Sequence, residues 1–440
     1  MTAARTPRYR KWLGWGRLLA GFVSVQVVVQ VLGFLGGILL VRCLPKEQYG
    51  FFTIGNSMLA MMSMLADNGI GSALSAIGGR VHDDRMRFGS LVKTALRLRR
   101  VFAVVSMVVV FPILLWMLLR NGAGRGDVLG VSTGVLLALV FQLGVGVYAV
   151  VPRLKFQTGR VQTLDLASTL LRVGLLFAAW AVFLDASVAI YISALALGLQ
   201  YVLLRRWIPD SIDLSAPPRP EYHAGIAAIV KRQAPNTIYY CIHTQIGVWL
   251  IGTFGSAAGV AEVGALGRLA MIFAIMSSVM SGLILPRFAR CHSPGLLKRR
   301  YWQILFGYAS FGAVLVAVAA VFPSELLWIL GKNYAGLKAE VLLMVVGAVV
   351  GAIDVTMYSL NISRGWIVSA WLGIPTGLLS QIIGIVVFDV STVRGVLLMG
   401  IVSAIPHIVI NYWTARKGMK ALATAEADAR ELPHAPKDIS

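Results

Sequence analysis

Stretches of about twenty apolar residues recur from one end of this chain to the other, and they constrain its fold more than any other feature. The hydrocarbon core of a bilayer is roughly 30 Å thick, so a helix needs about 20 apolar residues to cross it. A window of that length predicts twelve transmembrane helices, at 18–41, 49–66, 101–119, 128–151, 164–184, 187–204, 234–253, 263–285, 304–322, 339–360, 366–388 and 393–413. With 58% hydrophobic and 13% charged residues, the chain is predicted to be an all-α polytopic membrane protein.

Basic residues are distributed unequally between the two sides of these spans. Of the 40 Lys and Arg residues, 31 lie in the N-terminus, in alternate loops or in the C-terminal tail, and seven lie in the loops on the other side. Cytoplasmic loops of membrane proteins carry an excess of Lys and Arg, so both termini are predicted to be cytoplasmic. The formal net charge of +21 therefore indicates orientation in a lipid bilayer and contact with anionic lipid, rather than a nucleic-acid partner.

The sequence does not have the features of a metalloprotein or a soluble enzyme. Its three cysteines, Cys43, Cys241 and Cys291, are far apart, and its six histidines show no metal-ligand spacing, so no metal or other cofactor is expected. The longest loop on the outer side has about 16 residues, at 323–338. Because no loop can hold a soluble catalytic domain, we expect a protein that is not an enzyme and that acts within the bilayer or at its surfaces.

Short motifs recur in the same order in the two halves of the chain. Trp116 recurs as Trp328 and Asn121 recurs as Asn333, each pair 212 residues apart. Since six predicted spans separate the copies, both halves have the same orientation, as in transporters built from two parallel repeats. The predicted domains are a basic cytoplasmic N-terminus at 1–17, an N-terminal six-helix bundle at 18–204, a cytoplasmic linker at 205–233, a C-terminal six-helix bundle at 234–413 and a disordered cytoplasmic tail at 414–440.

Four candidate residues are ionisable and lie in or at the end of predicted spans, where a charge is costly unless it faces protein or water. Arg172 lies near the middle of the fifth span, where it either pairs with a carboxylate such as Asp354 or binds an anion in a water-filled cavity. Arg268, in the eighth span, either extends outward to the interface or faces the same cavity. Asp67 and Asp354 are interpreted as structural carboxylates, with coupling to protons or cations as the alternative. The turn sequence after Asp67 favours a capping role there.

Uncharged polar residues within the spans form a second set of candidates. They either hydrogen-bond between helices, as in many membrane proteins, or line a polar lumen that binds a sugar. These residues are Gln26, Gln30, Asn56, His243, Gln245, Gln381 and His407.

Several segments combine glycine, proline and small polar residues in a recognisable order. The first is Gln30-Val-Leu-Gly-Phe, followed by Leu39-Leu-Val-Arg42-Cys-Leu-Pro-Lys-Glu47-Gln-Tyr49-Gly50-Phe. The others are Asp67-Asn-Gly69, Gln245-Ile-Gly-Val-Trp-Leu-Ile-Gly-Thr-Phe-Gly255, Gly264-Ala-Leu-Gly-Arg268-Leu-Ala, Leu285-Pro286-Arg287 and Leu330-Gly331-Lys-Asn-Tyr334. Over residues 17–413 the chain resembles Wzx-type oligosaccharide flippases, which are polysaccharide transporters of the multidrug/oligosaccharidyl-lipid/polysaccharide exporter (MOP) superfamily.

This resemblance implies two parallel-repeat six-helix bundles that form a V-shaped central cavity, in the inner membrane of a bacterium. It also implies a substrate, an undecaprenyl-diphosphate-linked oligosaccharide that is moved to the periplasmic leaflet for O-antigen, capsule or exopolysaccharide synthesis. A polysaccharide polymerase and its chain-length machinery are the expected partners. By analogy, the residues that meet the diphosphate are Arg172, Arg268, Arg42 and Arg287.

Two other functions remain as alternatives. A multidrug or cation antiporter of the same superfamily would need acidic rather than cationic cavity residues. A membrane polysaccharide polymerase or ligase would need a sizeable outer loop, which this chain does not have. Relatives often carry an acidic residue just after the glutamine of the seventh span, where this chain has Gly247, so cation coupling through that position is not expected here.

Overall fold

The structure is a computed structural model that describes residues 8–155, 157–213, 215–271, 273, 276–277, 280, 284–289, 291, 293–366 and 370–431. All regular secondary structure in these ranges is helical, which confirms the predicted fold class. The first ten helices are α1 (Arg8–Cys43), α2 (Lys46–Asp67), α3 (Ile70–Val81), α4 (Arg85–Arg120), α5 (Arg125–Tyr148), α6 (Val150–Leu154), α7 (Thr158–Val182), α8 (Ala186–Trp207), α9 (Pro220–Phe254) and α10 (Ala257–Leu269). The others are α11 (Leu285–Ala289), α12 (Pro294–Val321), α13 (Pro323–Leu330), α14 (Lys338–Ser363), α15 (Ala370–Val387) and α16 (Val393–Glu431), with short 3-10 helices at Ile208–Asp210 and Lys332–Tyr334.

Within the described residues, eight helices are long and apolar enough to cross a membrane, and α15 is a shorter apolar helix. The eight are α1, α4, α5 with α6, α7, α8, α12, α14 and α16. The second and seventh predicted spans coincide with α2 and α9, whose polar side chains lower their hydropathy. Of the eighth predicted span, 263–285, α10 accounts for the first part, and much of the remainder lies outside the described residues.

Several helices continue well beyond the predicted spans. Residues 78–100, between the second and third predicted spans, contain the end of α3 and the start of α4. The linker at 205–233 contains the first part of α9, which begins at Pro220, a position where proline costs no helical hydrogen bond. The tail predicted to be disordered from 414 is helical as far as Glu431, because its Ala, Lys, Arg and Glu residues favour continuation of an existing helix.

The chain divides into two compact units. The first comprises Met1–Arg268 with Ile329–Tyr334, and the second comprises Leu269–Trp328 with Ala335–Ser440. In the first unit, α2 packs against α4, α5 and α9, and α5 packs along α8. A buried apolar cluster joins α3, α4, α8 and α9 through Leu74, Phe88, Leu91, Leu204 and Ile226. In the second unit, α14 packs against α12 and α16 around Phe288, Tyr301, Leu305, Met357 and Leu360.

The segment between α8 and α9 is bound to the first unit. Asp213 N donates to Arg85 O at 3.1 Å, and Ser90 Oγ donates to Pro217 O at 2.6 Å. Gly89 faces the carbonyl of Asp213 so closely that a Cβ there would overlap it. The predicted linker therefore does not separate the compact units, which divide at Arg268, and the repeat boundary at 234 stays a prediction.

Large apolar side chains are exposed at the surface of each unit. In the first unit, Val108, Leu129 and Val182 are more than 60% exposed, and Val182 is 89% exposed. In the second unit, Trp371 is 90% exposed and Val386 is 80% exposed. Side chains of this kind lie in hydrocarbon rather than in water, as the predicted spans require.

Replacing Gly89 with alanine should destabilise the protein by about 1–3 kcal/mol, because the added methyl group meets a backbone carbonyl that has little room to move. The matched control is Gly126→Ala in α5, where a Cβ meets no other atom within 4 Å. That change should leave stability equal or raise it by up to about 1 kcal/mol. Thermal unfolding of the purified variants measures both, and equal midpoints would show that the segment after α8 is not held against α4.

Candidate functional site

Two glycines in α1 allow other helices of the first unit to approach it closely. A Cβ on Gly36 would lie 3.1 Å from Val173 Cγ2 of α7, and a Cβ on Gly37 would lie 3.1 Å from Arg268 Cδ of α10. Small residues at such contacts are how membrane helices gain close packing. Consecutive glycines of α1 therefore face α7 next to Arg172 and face Arg268 itself.

The contact between α2 and α10 also depends on glycine. Gly50 of α2 lies against the backbone carbonyl of Ala257, and a Cβ on Gly264 of α10 would lie 2.6 Å from Thr53 Oγ1. Both glycines belong to the segments that carry the resemblance to flippases. Their close approach places Tyr49, which precedes Gly50, beside the last turn of α10.

Arg268 extends over Gly37 toward α2. Its Nε donates to the hydroxyl oxygen of Tyr49 at 3.2 Å, and Tyr49 is completely buried. The side chain of Arg268 is partly buried, and this contact holds its guanidinium inside the unit. Of the two orientations left open by the sequence, the contact with Tyr49 supports the inward one.

Arg172 and Arg268 are 96 positions apart in the chain, but the adjacent glycines Gly36 and Gly37 face Val173, the neighbour of Arg172, and Arg268. The two arginines interact electrostatically as like charges. The Nε atom of Arg172 is buried and has no hydrogen-bond partner in the described part of the chain. A guanidinium group is a planar set of five donors, so an unpaired one inside a protein is a site for an acceptor.

No ion pair joins Arg172 or Arg268 to a carboxylate among the described residues of the first unit. Glu262, two turns before Arg268 on α10, pairs instead with Lys46 of α2. Lys46 also lies 5.7 Å from the centre of the Tyr334 ring. Within the described residues, Arg172 and Arg268 therefore have no carboxylate that neutralises them. An anionic ligand would supply the missing negative charge.

Asp67 forms the ion pair that explains its position, and its partner Arg99 was not identified from the sequence. Arg99 Nη1 lies 3.2 Å from Asp67 Oδ1, and the Arg99 side chain is 6% exposed. Gly146 of α5 makes room for this guanidinium, since a Cβ there would overlap Nη1. The turn after Asp67 is confirmed, because Asn68 and Gly69 both have left-handed backbone conformations, with φ of 36° and 81°.

Asp354 belongs to a polar cluster in the interior of the second unit. Asn411 Nδ2 donates to Asp354 Oδ1 at 2.8 Å, and Asn361 Nδ2 donates to Asn411 O at 2.9 Å. His407, one turn before Asn411, interacts electrostatically with Asp354. Asn361 and Asn411 were not among the residues predicted, although both lie at helical spacing from one that was.

Arg42 and Arg287 belong to different units. Arg42 is exposed at the end of α1, where its Nε donates to Ile329 O at 2.9 Å and so holds the segment that returns to the first unit. Arg287 is exposed in the second unit and lines a cavity of about 480 Å³ together with Arg300, Gln303 and Tyr308. Their roles toward a diphosphate remain predictions.

The uncharged polar candidates differ in their surroundings. Gln245 of α9 accepts a hydrogen bond from Ser57 Oγ of α2, which is interhelical bonding of the kind expected. His243 stacks on Tyr239 with ring centres 5.5 Å apart. Gln26 and Gln30 are partly buried and have no hydrogen bond to another described residue, Asn56 is exposed, and Gln381 is buried within the second unit.

Comparison with solved structures identifies the fold. An inward-facing multidrug resistance MATE family transporter of the MOP superfamily matches with a TM-score of 0.71 at 16% identity, over 91% of this chain and 99% of that one. The lipid II flippase MurJ in an inward closed conformation matches with a TM-score of 0.67 at 11% identity, over 92% and 90%. A MATE structure in complex with MaD3S matches with a TM-score of 0.64 at 16% identity, over 92% and 96%.

No protein-family model matches the chain, and no curated protein matches its sequence. The chain has the multi-pass membrane fold of MOP-superfamily transporters. Two of these solved proteins are described as a multidrug resistance transporter and as a lipid II flippase.

Replacing Gly37 with valine should destabilise the protein by about 1–3 kcal/mol, because the larger side chain must displace Arg268 from its position beside Tyr49. Gly33→Val is the matched control, one turn earlier on α1, where a Cβ meets no other atom within 4 Å. We expect that control to unfold at nearly the native temperature. Thermal unfolding in detergent compares the two, and a native midpoint for Gly37→Val would contradict the packing described for Arg268.

Proposed function

We propose that this protein is a flippase that moves a polyprenyl-diphosphate-linked oligosaccharide from the cytoplasmic to the periplasmic leaflet of a bacterial inner membrane. The pair formed by Arg172 and Arg268 is the single observation that carries this proposal. A diphosphate is multiply anionic and cannot enter hydrocarbon without compensating charge. Arginine suits this role because its planar donors match phosphate oxygens and it keeps its charge when buried.

The fold supports the same assignment. One of the solved proteins that share it is described as a lipid II flippase. We infer that the present chain handles a substrate of similar chemistry, with a diphosphate, a hydrated sugar and a long polyprenyl tail. The alternating access of MOP transporters would carry the head group, while the tail remains in lipid. A polymerase that consumes the unit on the periplasmic side is the expected partner.

The carboxylates of the spans favour an anionic over a cationic substrate. Transport of a cationic drug or a coupling cation calls for a free acidic group in the membrane. Asp67 is paired with Arg99, and Asp354 accepts a hydrogen bond from Asn411. These contacts support structural roles for both carboxylates, as the sequence analysis expected. A multidrug antiporter therefore remains the second candidate rather than the first.

Flipping by the purified protein in proteoliposomes tests the proposal. A fluorescent polyprenyl-diphosphate disaccharide is quenched from outside, and the protected fraction reports its distribution between leaflets. Arg172→Gln and Arg268→Gln should each slow flipping about ten- to a hundredfold, as expected for loss of one hydrogen bond to a charged group. Arg172→Lys, which keeps the charge, should retain more activity than Arg172→Gln.

Arg125→Gln is the matched control, because it removes the same charge from an exposed position at the start of α5. It should flip at the native rate. Native rates in both Arg172→Gln and Arg268→Gln would refute the cationic site. Transport of a cationic dye in place of the lipid would favour the antiporter.

A further inference from the structure

A second cationic cavity lies in the second unit, between α12 and α16, with a volume of about 570 Å³. It shares no lining residue with the cavity that Arg287 lines. The residues that characterise it are Lys298, Tyr301, Trp302, Tyr412, Arg416 and Lys420.

On each of the two helices, a cation and an aromatic ring of this cavity lie one turn apart, with the cation nearer the end of the predicted span. On α12, Trp302 comes one turn after Lys298, and on α16, Tyr412 comes one turn before Arg416. The α12 helix begins near this cavity and α16 runs past it toward its C-terminal end, so the cations lie at the ends of the spans and the rings lie deeper. The Trp302 and Tyr412 rings are 6.1 Å apart. Cations at the membrane surface with Trp and Tyr just below them are the arrangement of a membrane–water interface.

Exposed apolar side chains continue from this cavity into the spans. Phe306, one turn deeper than Trp302 on α12, is 75% exposed. Val409, one turn deeper than Tyr412 on α16, is 48% exposed. A ligand whose charged end fills the cavity therefore has a hydrocarbon surface beneath it on both helices.

Within the part of the chain that the structure describes, no ion pair involves the three cations of this cavity, Lys298, Arg416 and Lys420. Tyr301 is 1% exposed, and its hydroxyl oxygen has no hydrogen-bond partner in the described part of the chain. Three cations and an unpartnered hydroxyl group together suit an acceptor with several anionic oxygens.

We propose that this cavity binds the headgroup of an anionic phospholipid of the leaflet that the sequence predicts to be cytoplasmic. The phosphate meets Lys298, Arg416 and Lys420, the glycerol region lies against Trp302 and Tyr412, and an acyl chain follows Phe306 and Val409. Basic pockets between helices on the cytoplasmic side are suited to anionic lipid headgroups. This site does not depend on the flippase proposal, since it requires no transported substrate.

The experiment titrates the purified full-length protein in nonionic detergent with dioleoylphosphatidylglycerol and follows the thermal unfolding midpoint. The native midpoint should rise, because a ligand that binds only the folded protein stabilises it. The Lys298→Gln/Arg416→Gln double variant should need roughly thirtyfold more lipid for the same rise, from the contribution of two cations at an anionic surface. The matched control is Arg299→Gln/Lys417→Gln, which removes one Lys and one Arg from the same helices at neighbouring positions that do not line the cavity.

The control variant should respond like the native protein. Equal lipid sensitivity in all three proteins, or an equal rise with dioleoylphosphatidylcholine, would overturn the proposal. An equal rise with inorganic pyrophosphate would also overturn it, since the occupant would then be a soluble anion. Should the double variant fail to fold, a photoactivatable phosphatidylglycerol on the native protein gives an independent test. Its adducts should map to 298–306 and 409–420, and adducts found only elsewhere would contradict the site.

Discussion

A guanidinium group within a membrane must be solvated by protein, water or an anion. This requirement governs the surroundings of the three arginines discussed for the first unit. Placing a charge at the centre of a span costs roughly 3 kcal/mol even when it can partly relax. Arg99 meets the requirement by pairing with Asp67, and Gly146 leaves room for its guanidinium group. Arg172 has a buried Nε with no hydrogen-bond partner in the described residues, and Arg268 donates to Tyr49 but pairs with no carboxylate there. The contrast between a paired and an unpaired arginine is the basis of the proposed site.

Glycines make this arrangement possible, because the absence of a Cβ lets a neighbouring backbone or long side chain approach the helix closely. Gly36 and Gly37 admit α7 and Arg268, while Gly50 and Gly264 draw α2 and α10 together. At Gly37, Gly50 and Gly264 a polar group lies next to the glycine. Gly50 and Gly264, which belong to segments that resemble flippases, are therefore packing residues.

Much of the fold and part of the site were predictable from the sequence. Hydropathy was sufficient to locate the spans and to mark Arg172 and Arg268 as unusual, since each lies in an apolar context. Their convergence was not predictable, because it depends on the packing of helices far apart in sequence. Arg99 was overlooked because it lies in a basic stretch that resembles a cytoplasmic loop, whereas α4 carries it into a buried position. Helix ends were not predictable either, because hydropathy indicates which residues lie in the bilayer and does not indicate where a helix ends.

Equilibrium binding of a short polyprenyl diphosphate tests the central claim most directly, because it asks whether the arginine pair recognises the diphosphate itself. Titration calorimetry of farnesyl diphosphate with the purified protein should show binding, while farnesol, which lacks the anion, should bind far more weakly. The Arg172→Gln/Arg268→Gln double variant should lose the preference for the diphosphate. Equal affinity of the native protein and the double variant for farnesyl diphosphate would contradict the account.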